Sequence, residues 1–283
     1  MTEPVSSQMR TGIQAKLGQI AEGQDARILL AIESGSRAWG FHSPNSDYDV
    51  RFIYARSIDW HLTVEPGRDV IEVPISDELD ISGWDLRKTL GLVLRSNAVV
   101  LEWLQAPIVY AEAEGFRAEM LEFAQATLRR RPVMWHYLRL AQRQFDRLRD
   151  ADGNVRLKRY FYVIRPALAL RWLRLREGMA IPPMNMARLM AETDLPPELT
   201  SLLEGLIGQK MAVGEMGSAA KTPDALDALI TREIDAAHKV LGDTAHDARE
   251  RQRHAADRLL QRWTRKCDPL LGQAASASGA KRV

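Results

Sequence analysis

Apolar positions recur at two different periods along this chain, and the change of period divides it. Arg27 to Ile32, Val50-Arg51-Phe52-Ile53-Tyr54, Val70-Ile71-Glu72-Val73 and Leu79-Asp80-Ile81 are short runs rich in β-forming residues. They predict the strands of one small mixed sheet, preceded by a short amphipathic helix near Gln8 to Ile20. From Trp84 onward Leu86, Leu90, Val93 and Leu94 fall on one helical face, and Ser82-Gly83-Trp84-Asp85 reads as a capping box with Asp in the Glu position. The helical period continues through Ala113 to Leu128, Pro132 to Arg149, Val155 to Arg176, Pro197 to Val213, and a long stretch from Pro223 toward Trp263. The pattern predicts an α+β protein with a sheet-bearing domain over residues 1–110 and a helical bundle over residues 111–272. The tail 273–283 is small and polar, and is expected to be disordered because it buries too little surface to offset its ordering entropy.

Composition narrows the class. An apolar share of 46% over 283 residues supports a substantial core, and the single cysteine, Cys267, leaves no intramolecular disulfide. The first residues lack the basic-then-apolar order of a secretory signal, so a cytoplasmic location is the expectation. Charged residues interrupt every apolar run well short of the roughly 20 residues that span a bilayer, so no membrane association is expected. The formal charge of +2 is small but unevenly placed: Arg129 to Arg176 is basic, whereas Asp69 to Asp85 is acidic. One region suits phosphates and the other suits metal ions.

On a strand alternate side chains share a face, so Asp47 and Asp49 project together while Tyr48 and Val50 point away. Two adjacent carboxylates repel unless a cation lies between them, and Mg²⁺ takes hard oxygen ligands together with substrate phosphates. Upstream, Gly35-Ser36 directly follows a strand, where glycine lets the backbone approach a phosphate and the serine hydroxyl adds a contact. An ATP-binding P-loop would need Lys-Ser or Lys-Thr to close its glycine loop, and Arg37-Ala38 stands there instead.

Gly35-Ser36, ten residues, then Asp47-Tyr48-Asp49 resembles the signature of the polymerase-β-type nucleotidyltransferase superfamily. The longer string Gly35-Ser36-Arg37-Ala38-Trp39-Gly40-Phe41 with Ser46-Asp47-Tyr48-Asp49-Val50-Arg51 is similar to a bacterial and phage branch of it, some members of which are associated with RNA ligases. The likeness continues through Gly83 to Lys88, Glu102-Trp103-Leu104 and Lys158 to Tyr162, and ends near Met190. It implies a polymerase-β-like palm followed by the helical bundle, and transfer of a nucleoside monophosphate from an NTP such as ATP to a hydroxyl, releasing pyrophosphate. Two Mg²⁺ ions, or Mn²⁺ in their place, would be held by Asp47 and Asp49 with a third carboxylate on a neighbouring strand. Asp80 is assigned that place; Asp85 is the alternative, better explained at a helix start, and Asp77 and Glu78 are weaker candidates. Gly35, Ser36 and Arg37 would cradle the phosphates.

Lys158, Tyr162 and Arg165 recur at i, i+4 and i+7, one helical face that suits triphosphate and base, with Pro166 expected to kink the helix beside it. Arg139, Arg143 and Arg147 form a second stripe that suits an RNA backbone or, equally, an ordinary solvated face. An RNA end is therefore the expected acceptor. A small molecule or protein side chain is the alternative, and a non-catalytic RNA-binding protein on an inactive nucleotidyltransferase scaffold is the rival from another class.

Overall fold

The computed structural model describes residues 4–65, 67–75, 78–150, 154–213, 218–219, 222–242 and 250–268. The tail expected to be disordered and the candidate Asp77 lie outside them. Helix α1 (Ser7–Gly23) starts where the Ser6 side chain accepts from the Met9 amide, and its buried stripe is Ile13, Leu17 and Ile20. Strand β1 (Arg27–Glu33) leads through a single turn, α2 (Gly35–Trp39), to β2 (Tyr48–Ala55). After α3 (Ile58–His61) come β3 (Val70–Glu72) and β4 (Leu79–Asp85), then α4 (Leu86–Leu94), α5 (Ala98–Gln105) and β5 (Val109–Glu112). The five strands form one mixed sheet in the order β3-β4-β2-β1-β5, with β2 and β4 parallel and the other neighbours antiparallel.

The sheet separates two apolar layers. Val50, Phe52, Tyr54, Ile71, Ile81 and Tyr110 pack with the buried stripe of α1. On the other side Ile53 and Ala55 join the larger core built by the helices. Strand β4 fits closely under β2 because Gly83 has no side chain: a Cβ there would meet the Phe52 ring at 2.3 Å. Contrary to the expected capping box at Ser82, the strand runs on to Asp85, in register with β2 from Tyr48↔Leu79 to Tyr54↔Asp85. A helix starting at Ser82 would give up those ladder bonds. Asp85 itself caps α4, its Oδ1 accepting from the Arg87 amide at 2.7 Å.

The helical half comprises α6 (Phe116–Thr127), α7 (Arg130–Asp146), α8 (Leu157–Leu175), α9 (Met186–Ala191), α10 (Pro197–Val213), α11 (Asp224–Leu241) and α12 (Glu250–Cys267), with a two-residue strand pair, β6 (Val155–Arg156) and β7 (Ser218–Ala219). The apolar stretch from Pro223 is two helices rather than one, since α11 ends at Gly242. Helix α8 runs through Pro166 and is its central member, buried along most of its length against α7 and α11. None of the helices is long and apolar enough to cross a membrane among the described residues. The result is a mixed α+β fold in which helices cover one face of the sheet and α1 the other.

Candidate active site

Strand alternation directs Asp49, Arg51, Ile53 and Ala55 to the helical side of β2, and Ile53 and Ala55 lie in the helical core. Parallel pairing sets Asp49 beside Asp80 across β2 and β4. Arg51 spans them: its Nη2 lies 2.7 Å from Asp80 Oδ2 and 3.4 Å from Asp49 Oδ1, and its Nη1 donates to the Asp80 carbonyl at 2.9 Å. Burial raises the Asp49 pKa, Arg51 opposes that rise, and the charges of Asp80 and Asp47 add to it. The charges of Asp47 and Asp80 thus both reach Asp49 at the end of β2.

Asp85 stands apart for a reason of parity. Five residues separate it from Asp80, so it faces the opposite side of β4, in register with Tyr54. It is buried, its carboxyl is pushed up to about 6 mainly by that burial, and its hydrogen bond to the Arg87 amide fixes it as a helix cap.

Gly35 opens the turn above Asp49. Its φ is +59°, and a Cβ would meet Asp49 Oδ2 at 2.1 Å, so any larger residue would displace the carboxylate. Beneath lies Glu33, fully buried, which accepts from the Asp49 amide at 3.0 Å and from the Tyr110 hydroxyl. The Ser34 amide donates to the Asp49 carbonyl at 2.8 Å, so both peptide groups of Asp49 are held from β1 and its turn. Burial pushes the Glu33 carboxyl up to about 7, against the two hydrogen bonds it accepts. Glu33 stood outside the expected site residues; a carboxylate ending an otherwise apolar strand was the available signal.

The helices supply the opposite wall. Ser36, Trp39, Phe41, Asp47 and Asp49 from the strand side share one cleft with Lys158, Tyr162 and Lys210. The two sides meet through aromatic rings: Tyr162 stands edge-on to Trp39 at 5.2 Å, and Phe161 stacks on Phe41 at 4.6 Å. Ser36, Asp47, Asp49, Lys158 and Tyr162 are therefore brought together as the motif spacing suggested. Lys210, from a region with no recognised motif, was missed.

Two arginines are placed elsewhere. Arg165 is buried, pairs with Glu102 at 2.6 Å and lies 4.4 Å from the Trp39 ring centroid, behind the aromatic wall rather than in the cleft. Seven residues bring it to roughly the same helical face as Lys158, but two turns deeper into the core. Arg37 is also buried, donating to the Pro4 and Ser46 carbonyls at 2.6 Å each and stacking 3.8 Å from the Tyr48 ring centroid. It braces the turn from below, on the Tyr48 side of β2, and so departs from the expected phosphate cradle.

Donor chemistry favours a hard divalent cation at this wall: carboxylates from adjacent strands, one with its pKa raised by burial and by the others. As the side chains stand, no three acidic, histidine or cysteine residues among the described ones converge on a single point, and the Arg51 guanidinium lies between Asp49 and Asp80.

Residues 9–262 match the family described as RlaP: RNA repair pathway DNA polymerase beta family. The chain is 42% identical over 228 residues to a Bacillus subtilis (strain 168) protein named Uncharacterized protein YcgL, covering 80% of this chain and 86% of that one. A crystal structure of a nucleotidyltransferase-like protein from Exiguobacterium sibiricum 255-15 is similar at 12% identity and a TM-score of 0.29, over 82% of this chain and 75% of that one.

Proposed function

The chain belongs to the RNA repair pathway DNA polymerase beta family, and on that premise we propose that it is a Mg²⁺-dependent nucleotidyltransferase that moves a nucleoside monophosphate from an NTP to a hydroxyl at an RNA end. The observation that carries this reading is the register of Asp49 with Asp80, set with Asp47 and Ser36 across a cleft from Lys158 and Tyr162.

Each residue has work that follows from its place. Ser36 and Lys158 donate to phosphate oxygens, and Tyr162, edge-on to Trp39, offers an aromatic surface to the base. Asp47, Asp49 and Asp80 would hold Mg²⁺, which when bound neutralises triphosphate charge and acidifies the attacking hydroxyl. Asp80 takes the hydroxyl proton once Arg51 has left it, and Arg51 is then available to the phosphates. The acceptor oxygen bonds to the α-phosphorus in line with the departing bridging oxygen, whose bond breaks to release pyrophosphate. Glu33 and Ser34 fix the Asp49 backbone, so the carboxylate is aimed before substrate arrives.

An RNA acceptor is supported by the exposed arginines of α7 and its C-cap. Arg139, Arg143 and Arg147 are exposed, and Arg139 lies 5.5 Å from the Trp135 ring centroid, an aromatic-and-cation surface suited to a nucleic-acid strand. The test is incubation with each α-³²P-labelled NTP and a pool of total RNA, with Mg²⁺ or with EDTA. Label should enter RNA only with Mg²⁺ and not with Asp49→Ala; label in protein or small molecules instead would replace the acceptor, and no label anywhere would leave a binding protein.

A further inference from the structure

Strand parity puts Arg51 on the same face of β2 as Asp49, and the parallel pairing of β2 with β4 brings Asp80 within its reach. Its Nη2 is shared between the two carboxylates, 2.7 Å from Asp80 Oδ2 and 3.4 Å from Asp49 Oδ1. Its Nη1 donates instead to the main-chain carbonyls of Val50 and Asp80, at 2.9 Å each. One end of the guanidinium is thus tied to the strands, and the other to two of the acids proposed to hold the metal ion.

This pairing is more open than the other arginine pair beside the cleft. Arg165 and Glu102 are 5% and 13% exposed, whereas Arg51, Asp49 and Asp80 are 19%, 31% and 33% exposed. Water reaches all three groups of the Arg51 pair, so parting them costs little beside parting a sealed pair. A divalent ion on the same carboxylates would face the guanidinium as a like charge at close range, and each would weaken the other's hold. A triphosphate removes that conflict, because it offers the guanidinium paired oxygen acceptors of its own. Asp49 lines the cleft with Ser36 and Lys158, so the Nη2 beside it stands at the edge of the space proposed for the phosphates.

Resting on the nucleotidyltransferase reading above, we propose that Arg51 couples the metal ion to the donor nucleotide. Its guanidinium competes with a divalent ion for Asp49 and Asp80, and the donor's phosphates end the competition by drawing the Nη2 end to themselves. The carboxylates therefore hold a free ion weakly, and an ion accompanied by a triphosphate strongly. Activation of the acceptor hydroxyl then waits for the donor. By linkage the coupling is reciprocal, so the ion strengthens donor binding by the same factor.

Mn²⁺ binding followed by electron paramagnetic resonance tests this without turnover, on wild type, Arg51→Met, Arg51→Lys and Asp49→Ala, each checked by circular dichroism. Calorimetry at saturating Mn²⁺ then measures the α,β-methylene analogues of ATP, CTP, GTP and UTP, of which the tightest is used. Without nucleotide, Arg51→Met should bind Mn²⁺ at least about tenfold tighter than wild type, and Arg51→Lys at least about threefold, since an ammonium does not span both carboxylates. Both variants should bind the analogue at least about fivefold more weakly. Mn²⁺ affinity unchanged or lowered in either variant overturns the proposal, as does unchanged analogue affinity; each result leaves the proposed function standing. Equal Mn²⁺ binding by wild type and Asp49→Ala, or no analogue binding by wild type, overturns the functional reading and this proposal with it. Should neither Arg51 variant fold, a crystal of wild type with Mn²⁺ and the analogue decides. Nη2 on a phosphate oxygen is the expected result, and Nη2 still shared by Asp49 and Asp80 refutes the coupling.

Discussion

The strand wall of the cleft is assembled by register, whereas the helical wall is assembled by packing. Glu33, Gly35, Asp49 and Asp80 lie within three neighbouring strands and one turn, with Asp47 immediately before β2, and the relative places of the strand residues follow from parity and pairing. Lys158, Tyr162 and Lys210 come from helices whose separation is set by the core between them, with aromatic rings as the seam. The difference shows in which charged residues are where the sequence placed them. On the strand wall the acids are; on the helical wall Lys158 reaches the cleft, while Arg165 turns inward to Glu102.

The largest effect should come from the strand wall itself. Asp80→Ala should lower transfer on the order of 10³-fold or more with the fold retained, measured as initial rates of label incorporation. Asp85→Ala should leave the rate within about threefold. The reverse ranking would sink the register argument.

On the helical wall the comparison is between a core cation and a cleft cation. Arg165→Met leaves Glu102, itself largely buried, with the Tyr137 hydroxyl but without its cation, and should cost about 3 kcal/mol in urea unfolding. Lys158→Met should change stability by less than about 1 kcal/mol and raise the KM for NTP about tenfold. If Arg165→Met were as stable as wild type but bound NTP poorly, Arg165 would belong to the cleft after all.

Glu33 supports a pH prediction of comparable size. Its carboxyl titrates near the ordinary 4.5 in the unfolded chain and at about 7 in the fold. Between those values the native protein holds a proton that the unfolded chain has lost, so stability falls as pH rises through the interval and stays low above it. The interval corresponds to about 3 kcal/mol. Glu33→Gln cannot titrate and should lack this component of the decline; urea midpoints of both proteins at pH 5 and pH 8, in EDTA, give the difference directly. Parallel curves would refute the raised titration of the Glu33 carboxyl beneath Asp49. The smallest effect is at Asp85, where Asp85→Ala should cost about 1 kcal/mol through the lost helix cap while Asp85→Asn costs less.

Much of the strand wall was legible because its rule is local. Alternation alone put Asp47 and Asp49 on one face, and Gly-Ser after a strand located the turn. Asp80 and Asp85 remained alternatives because the predicted strand stopped at Ile81; continued to Asp85, the same parity would have separated them. Arg37 was misplaced because a long side chain in a tight turn can reach either side of the sheet, and here the Pro4 and Ser46 carbonyls and the Tyr48 ring hold it below. Periodicity likewise joined α11 and α12, since a helix end at Gly242 leaves the apolar repeat on both sides intact.

By itself the sequence determined the α+β class, four of the five sheet strands, the turn and the acid-bearing face, because hydrophobic period and strand alternation act over a few residues; β5, Val109–Glu112, was not among them. Tertiary structure decided which cations face those acids. Lys210 meets Phe41 across 169 positions of chain and Arg165 meets Glu102 across the core. Such encounters depend on how helices pack, and the burial of an entire core fixes that rather than any motif.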